Sequence, residues 1–172
     1  KDAFALINAD DKNGSVMVQN TKALAKTYSI RQNADFHAKV LEESFEGMSL
    51  EINGVEVFVQ FVGRFNVQNI LAIFASLNLL GIDSQEALIQ LSAMKPVNGR
   101  FETFRSPKGV TAIIDYAHTP DAIENVLRTL REITDGRLFI VFGAGGDRDR
   151  RKRPLMGKAA FNCAKTDNNI IL

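Results

Sequence analysis

Apolar and polar positions alternate with a period of two from Met48 to Phe61. Met48, Leu50 and Ile52 form one series, and Val55, Val57, Val59 and Phe61 form the next. That period predicts two half-exposed strands, and Asn53-Gly54 between them is the sequence of a tight hairpin turn. Past Gly63 the spacing lengthens. Val67, Ile70, Leu71, Phe74, Leu77 and Leu80 recur at helical intervals, with Gly81 as the stop. Asp83 with Glu86 resembles a capping box and predicts a second helix running through Leu88 and Leu91. Upstream, residues 4–7 predict a short strand, residues 8–14 a turn cluster, and residues 21–27 a short helix.

Lys95-Pro-Val-Asn-Gly99 reads as a linker, and a domain boundary is expected near it. Beyond it, residues 110–114 are a β-branched strand ending in Asp115. Thr119-Pro120 predicts a capped helix with Ile123, Val126, Leu127, Leu130 and Ile133 on one face. Residues 138–142 predict a second strand, Pro154 opens another helix, and residues 169–172 form a third strand. The series β-α-β-α-β implies an α/β fold with a parallel sheet and right-handed crossovers. In such sheets the ligand site lies at the carboxyl ends of the strands.

Composition narrows the functional classes. The chain has 172 residues, 45% of them hydrophobic and 24% charged, with a net charge of +1. A near-zero net charge gives no global field for nucleic acid or membrane, so neither is expected as a partner. Cys163 is the only cysteine, which rules out a disulfide framework within the chain. A reducing, cytoplasmic setting is expected, without a signal peptide. A chain that stops in an apolar strand is expected to be a fragment.

Candidate chemistry gathers at the predicted strand ends. After the second strand comes Gly143-Ala-Gly-Gly-Asp-Arg-Asp, and five of the seven residues from Asp147 to Arg153 are basic. Glycine N–H groups and guanidiniums at a strand end suit an anionic ligand. The loop is not a dinucleotide fingerprint, because Arg148 stands where the third glycine belongs, and no phosphate-binding P-loop occurs elsewhere. Asp115 follows the preceding strand directly and is placed to accept ribose hydroxyls, with His118 as a phosphate donor; the plainer role, helix capping, falls to Thr119, since Asp115 lies too far upstream for it. Asn66 fits a helix N-cap. Asn69 lies a turn further on, where asparagine is a poor helix former; its amide would suit an adenine edge. Arg100 is either a solvated linker residue or a phosphate ligand.

Together these stretches resemble the Mur ligase family. The matching runs are Ile7-Asn-Ala-Asp-Asp11, Gly63-Arg-Phe-Asn-Val-Gln-Asn69, Pro96-Val-Asn-Gly-Arg-Phe-Glu102, Asp115-Tyr-Ala-His-Thr-Pro-Asp121, and Gly143 to Asp149 with Lys152-Arg-Pro-Leu-Met-Gly157. The resemblance implies that residues 1–97 are the tail of a central ATPase domain (an antiparallel hairpin plus helices). Residues 98–172 would begin a Rossmann-like C-terminal domain. It implies ATP and Mg²⁺ as cofactors, with Asn69 and Asn66 at the adenine, Arg100 at the phosphates, Asp115 at the ribose and His118 at the nucleotide. Arg148 would hold a carboxylate of an incoming diamino acid, and Lys152 and Arg153 join the substrate-binding set without individual roles. The implied reaction adds that diamino acid, meso-diaminopimelate before L-lysine, to UDP-N-acetylmuramoyl-L-alanyl-D-glutamate in peptidoglycan precursor synthesis. A folylpolyglutamate-synthase-like ligase and a non-enzymatic anion-binding module are the alternatives. The family's glycine-rich ATP loop, metal-binding residues and diaminopimelate-selecting motif are absent from the chain. The fragment alone is therefore expected to be inactive, and no catalytic or metal-binding residue is assigned in it.

Overall fold

A computed structural model of the chain describes residues 3–143, 145, 151–164 and 170–171. The chain divides into two compact units, Lys1–Lys95 and Pro96–Leu172.

The first unit is a five-stranded sheet with two helices. Its strands are β1 (Phe4–Asn8), β2 (Leu24–Ser29), β3 (Phe36–Ser44), β4 (Gly47–Ile52) and β5 (Val55–Val59), in that spatial order. The β1–β2 and β2–β3 pairs are parallel, and the β3–β4 and β4–β5 pairs are antiparallel. The period-two reading holds. Met48, Leu50, Ile52 and Val59 are fully buried, and Ser49 and Glu51 between them are only partly so. Asn53 and Gly54 both take the left-handed backbone the tight turn requires, at φ 47° and 85°.

The apolar face of that sheet is covered by α1 (Arg64–Leu79) and α2 (Ser84–Ala93). Val67, Ile70, Leu71 and Phe74 of α1 meet Leu88 and Leu91 of α2 over the β4–β5 hairpin. The Phe74 ring meets Phe36 of β3 edge to face, 6.1 Å between centroids. Gly81, at φ 90°, ends α1 as predicted: its N–H reaches Asn78 O and the Ile82 N–H reaches Leu77 O, both at 3.0 Å. That pair of bonds is a Schellman motif. Asp83 caps α2 by accepting from the N–H groups of Gln85 and Glu86.

Three local expectations change. Residues 21–27 are not a helix; most of that stretch belongs to β2. Leu24 to Tyr28 lie in register with Phe4 to Asn8, and a helix there would leave the β1 ladder unmade. Asn66 is not an N-cap: Gly63 precedes the helix at φ 96°, which puts Asn66 inside the first turn. The last helix starts at Lys152, two residues before Pro154.

Asp35 ties β2 to the loop that follows it. Its carboxylate accepts from Lys26 Nζ at 2.7 Å and from the Thr27 N–H and hydroxyl, both at 2.9 Å. The Lys26 bond, then those from Thr27, lower its pKa from 3.8 to about 2. A pKa depressed in the folded state adds stability above the unfolded value and loses it as pH falls through the folded one. The stability difference between the native chain and Asp35→Asn should therefore be constant above pH 3.8 and shrink as pH falls toward about 2. Urea titrations at stepped pH measure it, and a difference flat across that window contradicts the assignment.

The second unit contains β6 (Glu102–Arg105), β7 (Thr111–Ile114), α3 (Pro120–Ile133), β8 (Ile140–Val141), α4 (Lys152–Ala164) and β9 (Ile170–Ile171). The β8–β9 pair is parallel. Among the described residues β7 pairs with β6, antiparallel, and β6 had no counterpart in the sequence reading. Thr119 caps α3 by accepting the Ala122 N–H, and Pro120 opens the helix. Ile123 and Leu127 of α3 pack on Met156, Ala159 and Ala160 of α4.

Candidate functional site

In the first unit the candidate residues sit on the opening turn of α1. Gly63 has no side chain to cap the helix, and its own N–H goes to Glu43 Oε1 at 2.6 Å. At φ 96° the glycine is needed for its backbone conformation, and a Cβ there would also displace the Phe65 ring. Asn66 turns back and gives its Nδ2 to Val62 O at 2.7 Å. Its Oδ1 lies 3.5 Å from Asn69 Nδ2. Asn66 is thus committed to the backbone and to its neighbour, and Asn69 is the exposed member of the pair. An exposed amide held by a second amide is suited to reading one edge of a planar polar ligand.

A polar cleft of about 330 Å³ borders the same turn, lined by Asn8, Asp10, Asp11, Lys12, Arg31 and Gln68. Asp10 is its anchored member. Burial alone would raise the Asp10 pKa. The hydrogen bonds from Ser29, Ile30 and Gln68, with the charge of Arg31, outweigh burial and hold it below the ordinary value.

In the second unit Arg100, Asp115 and His118 form one neighbourhood. Arg100 lies between two residues with left-handed backbone, Gly99 at φ 71° and Phe101 at φ 49°. For a phenylalanine that conformation is strained by about 1–3 kcal/mol. Burial of the Phe101 ring, 3% exposed, offsets the strain, and so does its N–H bond to Asp115 Oδ2 at 2.8 Å. The Gly99 N–H is held by Glu102 Oε2 at 2.8 Å. The kink presents Arg100 at the surface, its guanidinium 4.8 Å from the centre of the Tyr116 ring. Tyr116 in turn lies 5.1 Å from the His118 ring, and His118 Nδ1 is 3.0 Å from the Tyr116 carbonyl oxygen.

Tyr116 and Phe101 join the candidates Arg100, Asp115 and His118 in this cluster. Tyr116 lies between Asp115 and His118 in the sequence, and nothing local marks a phenylalanine as left-handed. Asp115 is half-buried and already accepts a backbone N–H, so it organises the Arg100 turn whatever else it binds.

Lys152 and Arg153 occupy the exposed first turn of α4, which carries no acidic residue. Cations there add to the positive end of the helix dipole, giving a local field that favours an anion. Arg148 lies outside the described residues. Among the described residues no group of three or more His, Cys, Asp or Glu could hold a metal ion. None of the described helices is long and apolar enough to cross a membrane.

Comparison with known proteins gives the family likeness of both units. A family model described as the Mur ligase middle domain matches residues 1–77, and one described as the Mur ligase glutamate ligase domain matches residues 99–172. The chain is 59% identical over 162 residues to the UDP-N-acetylmuramoyl-L-alanyl-D-glutamate–2,6-diaminopimelate ligase of Phocaeicola vulgatus, spanning 93% of this chain and 34% of that protein. It is 57% identical over 171 residues to the ligase of the same name from Parabacteroides distasonis, spanning 98% and 35%. A solved structure of a UDP-N-acetylmuramoyl-L-alanyl-D-glutamate–2,6-diaminopimelate ligase matches with a TM-score of 0.68 at 36% identity, over 99% of this chain and 36% of that one. The chain thus spans about a third of the length of the curated relatives it matches.

Proposed function

This chain belongs to the Mur ligase family, and on that footing we propose that it is part of an ATP-dependent ligase acting on UDP-N-acetylmuramoyl-L-alanyl-D-glutamate. The amino acid added is a 2,6-diaminopimelate, as in the names of the relatives at 57–59% identity, and we take it as the meso form. Residues 1–97 are read as the end of the central ATP-binding domain and residues 98–172 as the start of the C-terminal domain.

In this reading the D-glutamyl γ-carboxylate attacks the γ-phosphorus of ATP, giving an acyl phosphate and ADP. The amine of the diamino acid then attacks the acyl carbon, phosphate leaves with the C–O bonding pair, and the nitrogen gives up a proton. The first step brings two anions together, so cationic groups fixed at the phosphates lower its barrier. Arg100 fills that role, and the observation that carries the reading is its fixed presentation beside Asp115, Tyr116 and His118. Asn69, backed by Asn66, reads the adenine; Asp115 takes the ribose hydroxyls with the oxygen not turned to Phe101; His118 meets the nucleotide. Arg148 holds a carboxylate of the diamino acid, with Lys152 and Arg153 adding positive field. The family's Mg²⁺ has no ligand set of His, Cys, Asp or Glu among the described residues.

The test is phosphate release by the full-length enzyme with ATP, Mg²⁺ and the UDP-linked dipeptide, offering meso-diaminopimelate and L-lysine separately. Release that depends on meso-diaminopimelate is expected. Release with L-lysine alone reassigns the acceptor, and release with neither removes the proposal.

A further inference from the structure

Ile7-Asn-Ala-Asp-Asp11 carries part of the family likeness, yet the reaction above gives it no task. The structure places Asp10 of this run where three elements meet. Ser29, fully buried at the end of β2, gives its hydroxyl to Asp10 Oδ1 at 2.6 Å. The same hydroxyl oxygen accepts the N–H groups of Arg31 and Gln32, at 3.0 and 2.8 Å. Asp10 Oδ2 accepts the Ile30 N–H at 2.9 Å and, from the opening of α1, Gln68 Nε2 at 3.4 Å. The Asp10 N–H is itself held by Asn8 Oδ1 at 2.9 Å.

One carboxylate therefore joins the ends of β1 and β2 to the helix turn that carries the asparagines. Gln68 immediately precedes Asn69, and neighbouring helix positions are about 100° apart around the axis. A bond that holds Gln68 toward the strand ends fixes the rotation at which Asn69 faces outward. Glu43, through the Gly63 N–H, pins the other side of the same turn. A buried or half-buried carboxylate that accepts several hydrogen bonds is a rigid joint, since each donor would otherwise lose its partner.

We propose that Asp10 is a positioning residue for base recognition, acting through Gln68 to aim Asn69 at the adenine. The proposal rests on the adenine role given to Asn69 above, so its test separates the two. The readout is the preference of the full-length enzyme for ATP over inosine triphosphate, in which a carbonyl replaces the adenine amino group. It is taken as a ratio of kcat/KM for native enzyme, Asn69→Ala, Asp10→Ala and Gln68→Leu. Gln68→Leu removes only the helix side of the joint and keeps the result readable if Asp10→Ala fails to fold.

Asn69→Ala is expected to bring the preference close to unity. Gln68→Leu and Asp10→Ala are expected to lower it about three- to tenfold, the range for losing one oriented hydrogen bond. The KM for the diamino acid should not change. If Asn69→Ala abolishes the preference while Gln68→Leu leaves it intact, Asp10 is only a structural joint and the proposal falls alone. If Asn69→Ala leaves the preference intact, the adenine reading falls and takes the positioning role with it. A Gln68→Leu enzyme that loses thermal stability with an unchanged nucleotide preference also overturns the proposal.

Discussion

Replacing Arg100 by alanine should lower kcat/KM for ATP in the full-length enzyme by roughly 10²–10³-fold, the usual effect of removing one preorganised charge at a phosphoryl-transfer site. The expectation follows from the way the residue is held. Gly99 and Phe101 set the backbone on either side, Asp115 fixes Phe101, and Tyr116 supports the guanidinium. A side chain arranged before the ligand arrives needs little reorganisation when charge develops. Lysine at 100 should recover only part of the loss, because an ammonium lacks the guanidinium's planar fork of donors and its broad contact over the Tyr116 ring. Arg100 is exposed, so the unfolding midpoint should stay near the native one. Steady-state kinetics with varied ATP make the measurement. Activity within about twofold of native would remove Arg100 from the phosphate site.

Phe74→Ala should destabilise the first unit by about 3–5 kcal/mol, the largest loss expected from a single core truncation here. Phe74 is 1% exposed and lies in the cluster built from both helices and the β4–β5 hairpin. Its ring also forms the edge-to-face contact with Phe36 on β3. Alanine would leave a cavity between sheet and helix that close packing on both sides keeps from collapsing. Leucine should restore roughly half of the loss by refilling volume without the aromatic contact. Denaturant unfolding of the 172-residue chain gives the value. A loss under about 1 kcal/mol would mean that the site relaxes around the deletion.

The parts of the fold that were legible beforehand share a property: their causes lie within a few residues. Asn53-Gly54 makes its turn because those residues tolerate positive φ. Thr119-Pro120 starts α3 through a hydroxyl and a preset backbone angle, and Gly81 ends α1 by adopting a conformation other residues resist. The candidate site was legible as a set of residue types. Arg100, Asp115, His118, Asn66 and Asn69 stand out by residue type and by their places at element ends. The internal geometry of each group was not legible, nor was the backbone task that occupies Asn66.

What the sequence determined by itself was the alternation of the β4–β5 hairpin, the apolar faces of α1 and α3, the Asp83 and Thr119 caps, the Gly81 stop, and the residue types available at the strand ends. Each follows from periodicity or from one residue's own conformational preference. Tertiary structure alone decided that residues 24–29 form a strand, because β2 exists through its ladder with β1 and a short apolar run has no strand identity without a partner. It also decided that Phe101 turns left-handed, since Asp115 and a buried ring, brought together by the β6–β7 pairing, offset that strain. And it made Asp10 a joint, because Ser29 and Gln68 lie 19 and 58 residues away along the chain and meet it only when sheet and helix have packed.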